Sequence, residues 1–274
     1  MKFIANTSDL SKYLGIRIKK YELIKNISID TRSIKKDSLF IAIKGKNFDG
    51  NDFVNEAIDK GAVIVIADDK KYLNDKNKKI IYVKNTIGAL KKISQNIIKD
   101  YQGKVIAITG SNGKTTTTNI IAKTLKNNSK TIKNFNNEIG VPISIMNASP
   151  KSKHLVLEIG ASKFNDINYL SKILKPDVGV ITNIGNSHLE VLKNINGVLK
   201  VKSEIIRNIK KDGFLVVPND NKNHLNKWKR IRPNINVITF GMKRSSDFYP
   251  TGVRVKSGAL VFNVNSKLIK KPLK

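Results

Sequence analysis

Cysteine is absent from this 274-residue chain, so disulfides and thiol chemistry are excluded, and a zinc site would need histidine and carboxylates. Histidine itself occurs only three times. Proline is scarce at seven residues and aromatics make up 7%, while 40% hydrophobic content places the chain among folded proteins. No apolar run approaches the ~20 residues of a membrane-spanning helix. The start, Met1-Lys-Phe-Ile-Ala-Asn6, lacks the apolar core of a signal peptide. These absences point to a cytoplasmic protein with no membrane partner, long enough for one large or two medium domains. Acidic residues are also few, 21 against 51 basic, for a net charge of +30. Such a surplus can mark a nucleic-acid or anionic-lipid binder. Here only seven of the 51 are arginine, and the lysines run along the whole chain beside abundant Ile and Asn. Base readers favour arginine and single-strand binders interleave aromatics. The composition therefore speaks against nucleic acid and fits the codon bias of an AT-rich genome, although the positive field would still gather anionic substrates.

What is present centres on Val105-Ile-Ala-Ile-Thr-Gly-Ser-Asn-Gly-Lys-Thr-Thr-Thr-Thr118. A β-branched apolar run feeds a glycine loop that ends in Lys-Thr and opens into a helix. Strand, loop and helix N-terminus in that order form a phosphate cradle. Gly110 and Gly113 let the backbone approach, and the N–H groups from Ser111 and Asn112 to Thr116 face the anion. Lys114 reaches the outer phosphates and the Thr115 hydroxyl suits Mg²⁺. The spacing departs from Gly-x-x-x-x-Gly-Lys-Thr, because Ile108 stands where the first glycine would be. The motif points to a nucleoside triphosphate with Mg²⁺.

The chain reads as α/β, a small N-terminal α/β domain at 1–84 followed by a phosphate-loop domain at 85–274 with a mainly parallel sheet flanked by helices. In the first, 39–43, 63–67 and 80–83 are strands, with a helix from 53 to 58 that closes at Gly61. A helix from Asn85 to about Asp100, then Gln102-Gly103, forms the joint. Beyond it, strands are expected at 105–109, 130–135, 154–159, 178–184, 214–218 and 236–240, and helices near 115–127, 166–174 and 197–210. That alternation implies a parallel sheet covered on both faces, with ligands beyond the strands' carboxyl ends. Gly252 to Val264 alternates around Ser257-Gly258 and reads as a hairpin.

Four further clusters fall near strand ends or on a helix. Glu158 ends the strand from His154 and could hold Mg²⁺; alone, it would suit an N-cap or a surface charge. Thr182-Asn-Ile-Gly-Asn-Ser-His-Leu-Glu190 carries His188, either a metal or phosphate ligand or a structural hydrogen-bonder. Asn134-Phe-Asn-Asn-Glu-Ile-Gly-Val-Pro142 offers the amides of Asn134, Asn136 and Asn137 to phosphate or sugar oxygens, though Asn-rich loops are also ordinary turns. Lys202-Ser-Glu204 lies inside a helical stretch, where spacing alone assigns it nothing.

Taken together and in order, these segments resemble the ATP-dependent Mur ligases of peptidoglycan synthesis, in particular the branch that joins D-alanyl-D-alanine to UDP-MurNAc-tripeptide. Thr109–Thr116 is similar to that family's shortened phosphate loop, and Asn134–Pro142 to the element that sets this branch apart. Glu158-Ile-Gly-Ala161 and Asn183–Glu190 resemble its two metal motifs. Asp30-Thr-Arg32, Leu39–Gly45 and Phe48-Asp-Gly50 resemble the region that receives the UDP-sugar.

The resemblance implies that ATP phosphorylates the tripeptide's carboxylate and that the dipeptide amine displaces phosphate. It implies Lys114 on the outer phosphates, Thr115 and Glu158 on a first Mg²⁺, Asn137 on the γ-phosphate, and His188 toward a second Mg²⁺. Lys202 matches a lysine that the family carbamylates into a metal partner, and Thr31, Arg32, Lys44, Gly45 and Asp49 fall in the sugar-nucleotide region. Pro218 stands where the family has an adenine-gripping asparagine, so Asn219 would substitute through a shift of one residue. The family also carries a C-terminal domain, which the resemblance leaves to a separate chain or absent here, so that ligation by this chain alone is expected to be weak. The alternatives are a sister ligase, a folate polyglutamylating enzyme, or a basic nucleotide-binding protein without catalysis.

Overall fold

The β-branched runs become short parallel strands because each is apolar on both faces and so needs helices on both sides of its sheet. The computed structural model describes residues 2–269 except Lys46 and Asp75. It divides into two compact units: 1–103 with 127–153, and 104–126 with 154–274. Among the described residues no helix is long and apolar enough to cross a membrane.

In the first unit β1 (Asn26–Ser28), β2 (Ser38–Ile41), β3 (Ala62–Ala67) and β4 (Ile80–Tyr82) form one parallel sheet in that order. Helix α1 (Thr7–Leu14) starts where the Asn6 side chain accepts from Asp9 N–H and stops at Gly15, in the left-handed conformation at φ 69°. A 3₁₀ turn at Gly50–Phe53 runs into α2 (Val54–Asp59), and α3 spans Thr86–Asp100. The short strand β6 (Asn128–Lys130; β5 lies in the second unit) precedes α5 (Gly140–Asn147), every residue of which up to Met146 is buried. Helix α3 packs against both α1 and α5. That packing places the joint helix in the first unit, with the division after Gly103 rather than after residue 84. It also brings residues 127–153 back to the first unit, where Phe3 N–H donates to Ala148 O at 3.0 Å.

The expected strand at 130–135 is not formed. Lys133 takes a positive φ of 50° and Phe135 N–H turns back onto Ile132 O, which ends the extended chain at Lys130. Gly-Val-Pro142 is the first turn of α5 rather than a free turn, a place that suits a proline lacking an N–H.

In the second unit β5 (Lys104–Thr109) lies between β7 (His154–Glu158) and β8 (Val178–Ile181), and the order continues through β9 (Phe214–Pro218) and β10 (Asn236–Phe240), all parallel. Strands β11 (Phe248–Lys256) and β12 (Ala259–Ser266) form the expected hairpin at the edge. Its two-residue turn has positive φ at both Ser257 (51°) and Gly258 (74°), which matches the right-handed strand twist. Helices α4 (Lys114–Thr124), α6 (Asp166–Leu174), α7 (Leu189–Leu192), α8 (Ile195–Ser203) and α9 (Lys222–Ile231) cover the sheet. The helix read as 197–210 is α8 followed by a 3₁₀ turn at Glu204–Asn208.

Asn51, unremarked in the sequence, ties the first unit's loops together. Its amide donates to Asp49 Oδ1 (2.8 Å) and Asp68 Oδ1 (2.9 Å), while its carbonyl accepts from the N–H groups of Asp68 and Asp69. Asp68 in turn receives the N–H and hydroxyl of Thr86 at the start of α3. Asn51 is buried, so Asn51→Ala strands several polar groups; it is expected to cost about 2–4 kcal/mol in urea unfolding. A loss below about 1 kcal/mol would show that the network is dispensable.

Candidate functional site

Strand register assembles the site. Ile108 lies beside Glu158 and Thr109 beside Ile181, so the chain leaving β5 emerges between the ends of β7 and β8. This is the point where connections diverge to either side, the usual crevice for a ligand in an open parallel sheet. The loop 110–113 is pinned from the β8 side. Thr182 Oγ1 donates to Asn112 O (2.6 Å), Asn112 N–H to Asn183 Oδ1 (2.9 Å) and Ser111 N–H to Asn183 O (3.2 Å). Ser111 Oγ donates to Gly185 O and accepts from Gly185 N–H, both at 2.9 Å. A Cβ on Gly110, at φ 152°, would lie 1.9 Å from Thr182 Oγ1, so only glycine fits. Gly113, at φ 76°, meets nothing within 4 Å; its requirement is conformational.

Helix α4 begins directly after Gly113, and no side chain caps its first N–H groups, which leaves them facing the loop. Lys114 Nζ donates to the carbonyls of Gly110 (3.1 Å) and Ser111 (3.2 Å), folded across the mouth of the cradle. Thr116 is exposed on the same turn. Thr115 Oγ1 donates to Glu158 Oε2 at 2.6 Å, and Glu158 is buried at the end of β7 rather than a surface charge. A hydroxyl and a carboxylate this close are hard oxygen donors of the kind Mg²⁺ takes, the ion keeping waters elsewhere. The pair fits a magnesium ion. Among the described residues no three His, Asp or Glu converge as a fuller metal cage.

Lys202 is almost fully buried at the end of α8. Burial, with the positive charge of Lys114 acting the same way, lowers its pKa to about 8 against the raising effect of Asp166 and Glu204. A substantial neutral fraction therefore exists near physiological pH. Asp166 accepts from Ser162 and Lys163 N–H (2.8 and 2.9 Å), and Glu204 from Asn165 and Asn168 N–H (2.9 and 3.0 Å), both at the start of α6.

Other expected residues are placed differently. His188 is exposed, in the left-handed region at φ 52°, immediately before α7. Asn219 follows β9 and donates from its amide to Ser245 (3.2 Å) and Ser246 (3.3 Å), while Pro218 completes the strand. Asn137 spends its carbonyl on the N–H groups of Ile139 (3.2 Å) and Gly140 (2.8 Å) at the start of α5, in the first unit. Asn134 O accepts from Asn136 N–H within the same loop. The sequence reading overlooked Thr182 and Asn183 as loop supports and Asp166 as a neighbour of Lys202. The signal for the first two was their place after the strand adjoining β5.

The first unit has its own cleft of about 510 Å³, lined by Thr31, Arg32, Phe40, Phe48, Gly50 and Phe53 among others. Asp30 Oδ1 and Oδ2 hold the Arg32 guanidinium at 2.7–3.1 Å, and Arg32 keeps the Asp30 carboxyl below its usual range. Lys44, Gly45 and Asp49 shape the loop beside it: Gly45 N–H donates to Phe48 O (2.8 Å) and Lys44 Nζ lies 3.4 Å from Asp49 Oδ2. That loop presents Phe48 at the cleft.

A phosphate loop at the carboxyl edge of an open parallel sheet, with a carboxylate on the first hydroxyl of its helix, defines the class of phosphate-loop nucleotide-binding α/β domains. The sequence profile of the Mur ligase middle domain matches residues 108–273, and that of the Mur ligase family catalytic domain matches 23–102. The chain belongs to the Mur ligase family. It is 39% identical over 246 residues to the UDP-N-acetylmuramoyl-tripeptide–D-alanyl-D-alanine ligase of Buchnera aphidicola subsp. Baizongia pistaciae, covering 89% of this chain and 53% of that one. To the ligase of the same name from Bacillus subtilis it is 37% identical over 201 residues, covering 72% and 44%. Among solved structures it superposes on MurF from Acinetobacter baumannii (TM-score 0.82, 28% identity, 94% of this chain and 57% of that one). MurF ligase from Thermotoga maritima in complex with ADP gives a TM-score of 0.78 at 31% identity, with 88% and 56% covered. The chain thus spans about half the length of the curated relatives it matches.

Because Lys202 has a lower pKa folded than unfolded, the unfolded chain binds more protons between about 8 and 10.5, and stability rises with pH through that window. Lys202→Met should melt above the parent near neutral pH, with the gap narrowing as pH rises toward 10. A gap independent of pH in thermal melts would contradict a buried, destabilised ammonium.

Proposed function

We propose that this chain binds UDP-MurNAc-tripeptide in its first unit and ATP with Mg²⁺ in its second, and serves the joining of D-alanyl-D-alanine to the tripeptide. The observation that carries the reading is the phosphate cradle with Thr115 and Glu158 paired at its mouth. Similar proteins are named for that ligation, and one was solved in complex with ADP; both support the assignment of ligands here.

In this reading a carboxylate oxygen of the tripeptide attacks the γ-phosphorus of ATP and ADP leaves. The dipeptide amine then attacks the acyl phosphate, phosphate leaves, and the amine's proton is lost as the amide forms. Activation is needed because a free carboxylate is a poor electrophile, and the protein's work is mainly positioning and charge neutralisation. Lys114 exchanges its loop carbonyls for the outer phosphates. Thr115 and Glu158 would hold Mg²⁺, which when bound would offset the phosphate charge, and His188 would be a further metal ligand. The neutral amine of Lys202 adds to CO₂ with loss of a proton, becoming a carbamate that favours the metal. Asn219, already at the end of β9, is the residue proposed at the adenine. Arg32, held flat by Asp30, and the exposed ring of Phe48 supply a charged and a stacking partner for the uridine diphosphate.

Calorimetric titration tests this without requiring turnover. Saturable binding of UDP-MurNAc-tripeptide and, separately, of a non-hydrolysable ATP analogue with Mg²⁺ is expected. Lys114→Ala should weaken the nucleotide at least about tenfold and leave the sugar nucleotide unchanged, and Arg32→Ala should do the reverse. Folded protein that takes up no UDP-MurNAc-tripeptide would overturn the proposal.

A further inference from the structure

A cleft of about 730 Å³ opens in the second unit between the start of α6, the α8 helix with its 3₁₀ extension, and α9. None of its lining residues belongs to the phosphate loop, the Thr115–Glu158 pair or the Thr182–His188 segment. Its walls carry four cations, Lys200, Arg207, Lys227 and Arg230, although arginine is rare in this chain, seven residues in all. The one carboxylate in the lining, Glu204, can offset only one of the four, and its two oxygens also accept the N–H groups of Asn165 and Asn168. Among the described residues neither Arg207 nor Arg230 enters an ion pair. Between the cations the surface is apolar, built from Leu199, Ile231 and the ring of Phe164, over which Lys200 Nζ lies 5.5 Å from the centroid. A smaller space of about 310 Å³ continues along α9 and shares Lys227 and Arg230 with the first.

We infer that this cleft is a second anion-binding site, for a small phosphorylated molecule with an aromatic or apolar portion. Its volume lies in the range of pockets that enclose small organic ligands. Two guanidinium forks suit phosphate oxygens, in a way that scattered lysines do not. The Phe164 and Ile231 surface accounts for an apolar portion that free phosphate lacks. Long nucleic acid would instead favour an extended, open basic track.

The chain's single tryptophan reports on the site. Trp228 is buried on α9 between the liganding positions Lys227 and Arg230, and its indole N–H donates to Ser203 Oγ (2.8 Å), a residue of the cleft wall. Phenyl phosphate, titrated while Trp228 emission is followed, is expected to give a saturable change, with inorganic phosphate binding at least tenfold more weakly. The double variant Arg207→Ala/Arg230→Ala should lose at least tenfold in affinity. Lys114→Ala should bind as the parent does, as should Lys222→Ala/Lys229→Ala, which removes two exposed cations of the same helix from outside the cleft. Loss in Lys114→Ala would assign the signal to the phosphate loop. Equal loss in the Lys222/Lys229 variant would reduce it to diffuse charge, and parent-like binding by the arginine variant, or no saturation at all, would overturn the site. An unchanged Trp228 emission maximum in each free variant establishes that the fold is kept.

Discussion

The position of β5 between β7 and β8 is the constraint on which the rest of the second unit depends. Parallel pairing on both sides fixes where three chains emerge. Glu158 and Thr182 are therefore delivered to opposite sides of the glycine loop by ladder hydrogen bonds, before any side chain acts. Ile159 N–H donates to Ile108 O and Thr182 N–H to Thr109 O, both at 2.8 Å. A loop so short could not hold an anion-binding shape by itself. Thr182, Asn183 and Gly185 supply the external hydrogen bonds that keep it open.

Electrostatics in this region follow from the same placement. Lys114 and Lys202 belong to different helices, yet burial, aided by the positive charge of Lys114, lowers the pKa of Lys202. Asp166 and Glu204 offset part of that cost, while also accepting the N–H groups of Ser162 and Lys163 and of Asn165 and Asn168. Among the described residues Lys202 is the one lysine so buried. The large net charge is in this sense background. What distinguishes a site is which cations share a wall and which carboxylates are already engaged.

Much of this architecture was legible. The strand–glycine loop–helix segment, the alternation after residue 104, the Ser257-Gly258 turn and the five segments that resemble the Mur ligases were all read in order from local pattern. Among the elements missed, β1 and α7 are only three and four residues long, and α5 is buried almost all round, so it shows no helical stripe. The strand expected at 130–135 failed because a left-handed residue at Lys133 is invisible to a propensity argument. Asn137 and Asn219 were given ligand roles by the family resemblance, and each has a polar group engaged locally, on the start of α5 and on the 245–246 serines.

Composition and local order by themselves determined that this is an α/β protein with a phosphate loop and with neither thiol chemistry nor a disulfide. They did so because glycine placement, β-branched runs and the presence or absence of cysteine act within a few residues. Only the tertiary structure decided that residues 127–153 belong with the first unit and that Glu158 is a buried partner of Thr115. It alone showed that Lys202 is desolvated and that Arg207 and Arg230 line one cleft. Each of these depends on contacts between residues about 20 or more positions apart, and no window along the chain contains both partners.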